Sequence, residues 1–282
     1  MGIFAEQNNN FIDAVDIHNV YDFNLEHIFE CGQCFRWNEN ADGSYTGVAF
    51  GNVLNIKKEN DKFILSDSDV WENYLDLNRD YGEIKKSLSV DSIMKKAISD
   101  GYGIRLLNQE FFETVISFIF SQNNNIPRIK NIVENFCRTF GEKIENSFYA
   151  FPNPETLKGI KREDLGFLKC GYRDLYIIDA IQKINNNEID FDILKNGEID
   201  KSRKEICKIK GIGPKVADCI LLFSLKRGEV FPTDVWMKRV LTDLYGFSDL
   251  TPDKINAFAK EKFGSLSGYA QQYLFYHKRE QK

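Results

Sequence analysis

The chain has 282 residues, 43% of them hydrophobic and 28% charged, with a net charge of −5, a composition that fits a globular protein with room for one large or two ordinary cores. No apolar run nears the roughly 18–20 residues of a membrane span, and residues 1–10 lack the basic-then-apolar order of a signal peptide. The expectation is therefore a cytoplasmic (nucleoid-associated) or nuclear protein with no membrane partner, its six cysteines reduced, and with the lone Cys31-x-x-Cys34 lacking the further ligands of a zinc site.

In chain order, Cys34–Trp37, Tyr45–Phe50, Val53–Lys57 and Phe63–Ser66 are short and bounded by Asn, Asp and Gly, which predicts an antiparallel meander. From about Leu107 the pattern turns helical, beginning with Phe111–Phe120. Ile126, Ile129, Val133, Phe136 and Phe140 then fall on one helical face, with Asn123–Asn125 placed to cap it and Pro127 in its first turn. Further helices are predicted at Arg173–Lys183, Lys201–Lys208, Pro214–Leu225, Val235–Leu244 and Leu266–His277. The fold class expected is α+β: a small N-terminal antiparallel sheet domain, residues 1–107, followed by an all-helical domain, residues 108–282.

Charge is split unevenly. Residues 1–107 carry −8 and residues 108–282 carry +3, with a local +6 over 201–240. Local field rather than mean charge governs phosphate binding, so the second part is the one suited to a polyanion. Within it, a helix ends near Ile209 and Gly211-Ile212-Gly213-Pro214 leads into the next. The glycines permit a sharp turn and close backbone approach, Pro214 suits a first helical position, and amides at such a helix start suit a phosphate oxygen.

This segment resembles the helix-hairpin-helix of the DNA glycosylase superfamily that includes endonuclease III. Lys215, directly after the turn, and Asp234, nineteen residues on, match the branch that is both glycosylase and lyase. The chemistry needs both: a carboxylate stabilises the oxocarbenium-like transition state of base loss, and an amine attacks C1′ to form a Schiff base. A free lysine, with a pKa of about 10.4, is a poor nucleophile, so burial among cations at a helix start is expected to lower the value for Lys215. Cys219, one turn on, would help position it. Asp234 also has the look of a helix N-cap.

Further segments resemble one branch, the eukaryotic-type 8-oxoguanine DNA glycosylase/AP lyase. In Cys31-Gly32-Gln33-Cys34-Phe35-Arg36-Trp37, the resemblance implies that the Gly32 carbonyl accepts from the N7 proton that 8-oxoguanine has and guanine lacks. Asn123 would fill the gap left by the extruded base, and Arg128 would contact the opposite cytosine. Tyr172 would wedge into the stack and Arg173 contact the same cytosine. Gln271 and Phe275, four apart on one helix face, would bond and stack on the flipped base. Gly211 and Gly213 would hold phosphate. Where animal and yeast relatives typically have a phosphate-contacting histidine, this chain has Trp236, a neutral donor. The resemblance further implies no required cofactor, no iron–sulfur cluster (no cysteine follows Cys219), a monovalent cation on the backbone carbonyls of Cys207, Ile209 and Ile212, a monomer, and as partner double-stranded DNA containing 8-oxoguanine opposite cytosine. A different damaged base, or a non-catalytic helix-hairpin-helix module, is the alternative.

Overall fold

A computed structural model describes residues 15–16, 22–59, 62–65, 68–144 and 147–280. The strands are β1 (Val15–Asp16), β2 (Trp37–Glu39), β3 (Tyr45–Ala49), β4 (Asn52–Ile56), β5 (Lys58–Glu59) and β6 (Lys62–Leu65). β2-β3-β4 is an antiparallel meander in which Trp37 faces Gly47 and Gly47 faces Leu54. β1, β6 and β5 form a second antiparallel sheet in that order. The helices are α1 (Leu25–Phe29), α2 (Ser68–Tyr74), α3 (Tyr81–Leu88), α4 (Ser92–Asp100), α5 (Phe111–Ser121), α6 (Ile126–Phe140), α7 (Arg173–Asn185), α8 (Phe191–Asn196), α9 (Ile199–Ile206), α10 (Pro214–Leu225), α11 (Val235–Tyr245), α12 (Pro252–Phe263) and α13 (Ser267–Glu280). This is the α+β arrangement expected: antiparallel sheet first, helices after.

Three local expectations are corrected. Cys34–Arg36 is a bend, and the strand starts only at Trp37, because the preceding Gln33 amide donates to Ile28 O and Arg105 O (2.9 and 2.8 Å) and pins the segment to a neighbouring loop. Helices begin at Leu25, well before Leu107; α3 and α4 are capped by Asp80 and Asp91, whose carboxylates accept from Glu83 N and Met94 N (3.0 and 2.7 Å). Such short helices, like α8, show too few turns for a helical period to stand out. The helix expected at Lys201–Lys208 lies two residues earlier, and α12, capped by Thr251 with Pro252 in its first turn, was not anticipated.

α5 is the central strut. Every residue from Phe112 to Phe120 is buried, as befits a helix apolar all round; each buried Phe or Ile contributes about 1.5–3 kcal/mol. It packs on α6, α7 and α10. A second cluster (Phe29, Trp37, Trp71, Tyr74) lies under the meander, with Phe29 and Trp37 stacked at 4.0 Å.

The acidity of the first part has a physical account. Its carboxylates reach across to side chains of the later helices: Glu30 to Lys130 (3.0 Å), Asp76 to Lys226 (3.7 Å), Asp91 to Lys262 (2.7 Å) and Asp100 to His277 (2.6 Å). The last two bind α4 to α12 and α13, the helix that carries Gln271 and Phe275.

Candidate active site

α9 ends at the Cys207 cap, and the chain turns through Gly211, whose φ is +79°. A Cβ there would lie 2.1 Å from the Tyr176 ring, so only glycine fits. Gly213 caps α10 and faces open space; Pro214 is the first residue of α10 and Lys215 the second. Asp234 is the N-cap of α11, accepting from Met237 N at 2.8 Å, so the capping expectation holds geometrically. Gly32 (φ +83°) lies beneath the Phe275 ring, its Cβ direction 3.8 Å from that side chain. Gly32, Lys215, Cys219, Asp234, Gln271 and Phe275 therefore line one cavity, joined by Phe118 and Gln272. Its volume is about 50 Å³, room for a few waters rather than a nucleobase.

The electrostatics of Lys215 correct the sequence expectation. Its pKa is raised, not lowered: Cys219 and then Asp234 favour the ammonium more than burial disfavours it, and the Lys215 and Cys219 side chains are hydrogen bonded. Burial pushes the Cys219 thiol up to about 11. The expectation of a lowered value rests on nearby cations; Cys219 and Asp234, already named there for other roles, face the amine and reverse it. The ammonium also lies 5.5 Å from the Phe118 ring centroid, a favourable cation–π distance.

A second group of residues surrounds the start of α6 and α7. Asn123 is exposed with φ +48°, and Asn125 caps α6 by accepting from Arg128 N at 3.0 Å. Arg128 is exposed and donates to Lys169 O at 3.2 Å. Tyr172 is 49% exposed. Arg173 is placed differently from a free base reader: it is buried, donating to the backbone carbonyls of Gln122, Asn123 and Cys170, with its guanidinium 4.8 Å from the Tyr172 ring. Trp236 is half-exposed, and the Arg239 guanidinium stands 5.3 Å from its ring. A cation thus accompanies the indole that had looked neutral from sequence. Trp236 also shares a cavity of about 400 Å³ with Asn124, Lys278 and Phe275, so Phe275 is the partition between two spaces.

Of the proposed cation ligands, the Ile209 carbonyl accepts from Ile212 N at 3.1 Å, leaving a second lone pair. Among the described residues no cluster of three His, Cys, Asp or Glu side chains forms a metal site, and no helix is long and apolar enough to cross a membrane.

Sequence reasoning missed Phe118, hidden in a run that looked like core, and Gln272, whose Oε1 is buried without a hydrogen-bond partner while its Nε2 faces Gln271 Oε1 at 3.3 Å. Gln33 was part of the quoted motif but received no role. Its side chain bonds Ile28 O, Arg105 O and Leu107 N, and its carbonyl accepts from Gln109 Nε2, fixing the Gly32 turn from below.

Comparison with known proteins agrees over nearly the whole chain. Residues 17–115 match the 8-oxoguanine DNA glycosylase N-terminal domain, and residues 116–265 match the HhH-GPD superfamily of base excision DNA repair proteins. A probable N-glycosylase/DNA lyase of Methanothermobacter thermautotrophicus is 30% identical over 67% of this chain and 68% of its own. The N-glycosylase/DNA lyase of Saccharomyces cerevisiae is 28% identical over 89% and 82%. The Clostridium acetobutylicum 8-oxoguanine glycosylase/lyase, solved with duplex DNA containing cytosine opposite 8-oxoguanine, superposes with a TM-score of 0.90 at 42% identity over 95% and 96%. The chain belongs to the HhH-GPD superfamily of base excision DNA repair proteins, and within it to the branch that carries the 8-oxoguanine DNA glycosylase N-terminal domain.

Proposed function

We propose that the protein is a bifunctional DNA glycosylase and AP lyase that removes 8-oxoguanine, preferentially opposite cytosine. The observation that carries this is the convergence of Gly32, Lys215, Asp234, Gln271 and Phe275 on one cavity from four separate parts of the chain. The relatives' names support the reaction class, and the DNA in the Clostridium complex supports the partner.

In this reading the exposed turn and start of α10 (Gly211, Gly213) grip a backbone phosphate, with Trp236 and Arg239 beside them. Tyr172 wedges the stack, Asn123 occupies the vacated place, and Arg128 faces the orphaned cytosine. Arg173 reaches that cytosine only by exchanging its carbonyl partners. The extruded base enters between Gly32 and Phe275. The Gly32 carbonyl accepts from N7–H, an atom arrangement that guanine cannot match, and Gln271 bonds the Watson–Crick edge.

Asp234 stabilises the positive charge that grows at C1′ as the bond to the base breaks and its electron pair leaves with the base. Lys215 gives up a proton and its amine bonds to C1′. Ring opening yields the Schiff base, and loss of a C2′ proton expels the 3′ phosphate by β-elimination. Residues 1–107 serve as the sheet-bearing part that delivers Gly32, and residues 108–282 as the glycosylase part. A monovalent cation on the carbonyls of Cys207, Ile209 and Ile212 would brace the hairpin.

Borohydride trapping on a panel of lesion duplexes tests the proposal. The expected result is a covalent adduct with 8-oxoguanine opposite cytosine that Lys215→Gln abolishes. An adduct undiminished in the variant, or formed with another lesion and not this one, overturns it.

A further inference from the structure

The elements proposed to touch DNA are separate in sequence, yet one helix links three of them: the wedge, the filler loop and the hairpin. α7 starts at the wedge. Tyr172 caps it, and Arg173 in its first turn ties down the carbonyls of Gln122 and Asn123, the loop that bears the filler. Arg128 joins the same assembly through Lys169 O, just ahead of the wedge.

One turn further, Tyr176 touches both sides. Its ring makes an edge contact with Tyr172, centroids 5.5 Å apart, and lies flat against Gly211 of the hairpin, where even a methyl group would collide with it. Asp179, another turn on, is buried. Its Oδ2 accepts from Lys210 N at 2.7 Å, the amide immediately before Gly211, and it pairs with Lys183 Nζ at 2.8 Å and Lys210 Nζ at 3.7 Å. Residues 172, 176 and 179 are spaced four and three apart, so they share one helix face. A buried carboxylate held by an amide and two ammonium groups is a costly way to fix one loop amide unless its position matters. Neither residue lines the lesion cavity.

We propose that Tyr176 and Asp179 are positioning residues that hold the phosphate-gripping hairpin at a fixed reach from the wedge Tyr172 and the filler Asn123, so that backbone capture and duplex opening act as one rigid unit. The proposal rests on the function given above, and it assigns to α7 a role in extruding the base, not in the chemistry that follows. A hairpin loose on α7 still binds phosphate, but the grip no longer loads the wedge.

The test compares excision from two duplexes, one with 8-oxoguanine opposite cytosine and one with the lesion opposite an abasic gap, where extrusion costs less. Tyr176→Ala and Asp179→Ala are expected to slow excision at least about tenfold on the paired duplex and by less than about threefold on the opened one. Tyr176→Phe, which keeps the ring, is expected to restore the wild-type ratio. Equal slowing on both duplexes means general structural damage and overturns the proposal. If an alanine variant does not fold, Tyr176→Leu, which removes the ring from Gly211 but keeps an apolar side chain there, carries the same comparison. A 2-aminopurine placed beside an abasic-site analogue reports opening without any base release. A wild type that brightens it but leaves 8-oxoguanine intact contradicts the functional reading alone. A Tyr176→Ala variant that brightens it as fully as wild type contradicts the positioning role alone.

Discussion

Around the lesion cavity, the functional side chains ride on helices or on a loop pinned from beneath: Lys215 and Cys219 on α10, Gln271 and Phe275 on α13, Asp234 at the cap of α11, and Gly32 on the turn that Gln33 bonds from below. On the duplex-opening face, Asn123, Arg128 and Tyr172 lie on loops and helix starts, held by guanidinium groups that clasp backbone carbonyls. The first region fixes geometry by packing, the second by exchangeable hydrogen bonds. Chemistry at one carbon demands placement within fractions of an ångström, whereas a surface that meets a bending duplex must trade its own bonds for bonds to DNA.

Each region has its own way to fail. Asp234→Asn keeps a good N-cap but removes the charge, so base release is expected to slow by about 10²–10³ with little change in melting temperature; a rate within threefold of wild type in single-turnover assays would remove Asp234 from the transition state. Arg128→Ala leaves the cavity intact. The preference for cytosine over adenine opposite the lesion is expected to shrink about tenfold, and an unchanged ratio of the two single-turnover rates would show that discrimination lies elsewhere.

The smallest effect concerns pH. Glu113 on α5 is buried against Arg36 (3.8 Å), the arginine that follows the Gly32 turn, and burial pushes its carboxyl up to about 7 despite that cation. Because the folded value exceeds the unfolded one, its contribution to stability is fully present below about pH 4.5 and is lost as pH rises through about 7. Melting temperature is therefore expected to fall by a few degrees between pH 5 and 8, and Glu113→Gln to flatten that slope. A variant that keeps the wild-type slope would assign it to other groups, Asp218 among them, whose value burial raises to about 6 beside Arg203.

The two regions also differ in how far sequence revealed them. Lys215, Asp234, Gln271 and Phe275 sit in motifs that resemble a known family, and that resemblance implied their meeting; helical spacing alone joined only Gln271 to Phe275. Gly211 was legible as a turn, but its ring partner Tyr176 was not, since nothing in one helix announces which loop it will touch. Arg173 has its expected role at the opposite cytosine through the family resemblance; its burial depends on carbonyls fifty residues away. The Lys215 protonation state was misjudged for the same reason, as it depends on what faces the amine across the cavity. The short helices α3 and α4 lay hidden among turn residues, Asp80 and Asp91, that proved to be their caps.

A chamber of about 50 Å³ stores no vacancy for a purine. In the proposed reaction an entering purine displaces Phe275 toward the space beside Trp236, so the swing of that one ring sets how readily the site is filled.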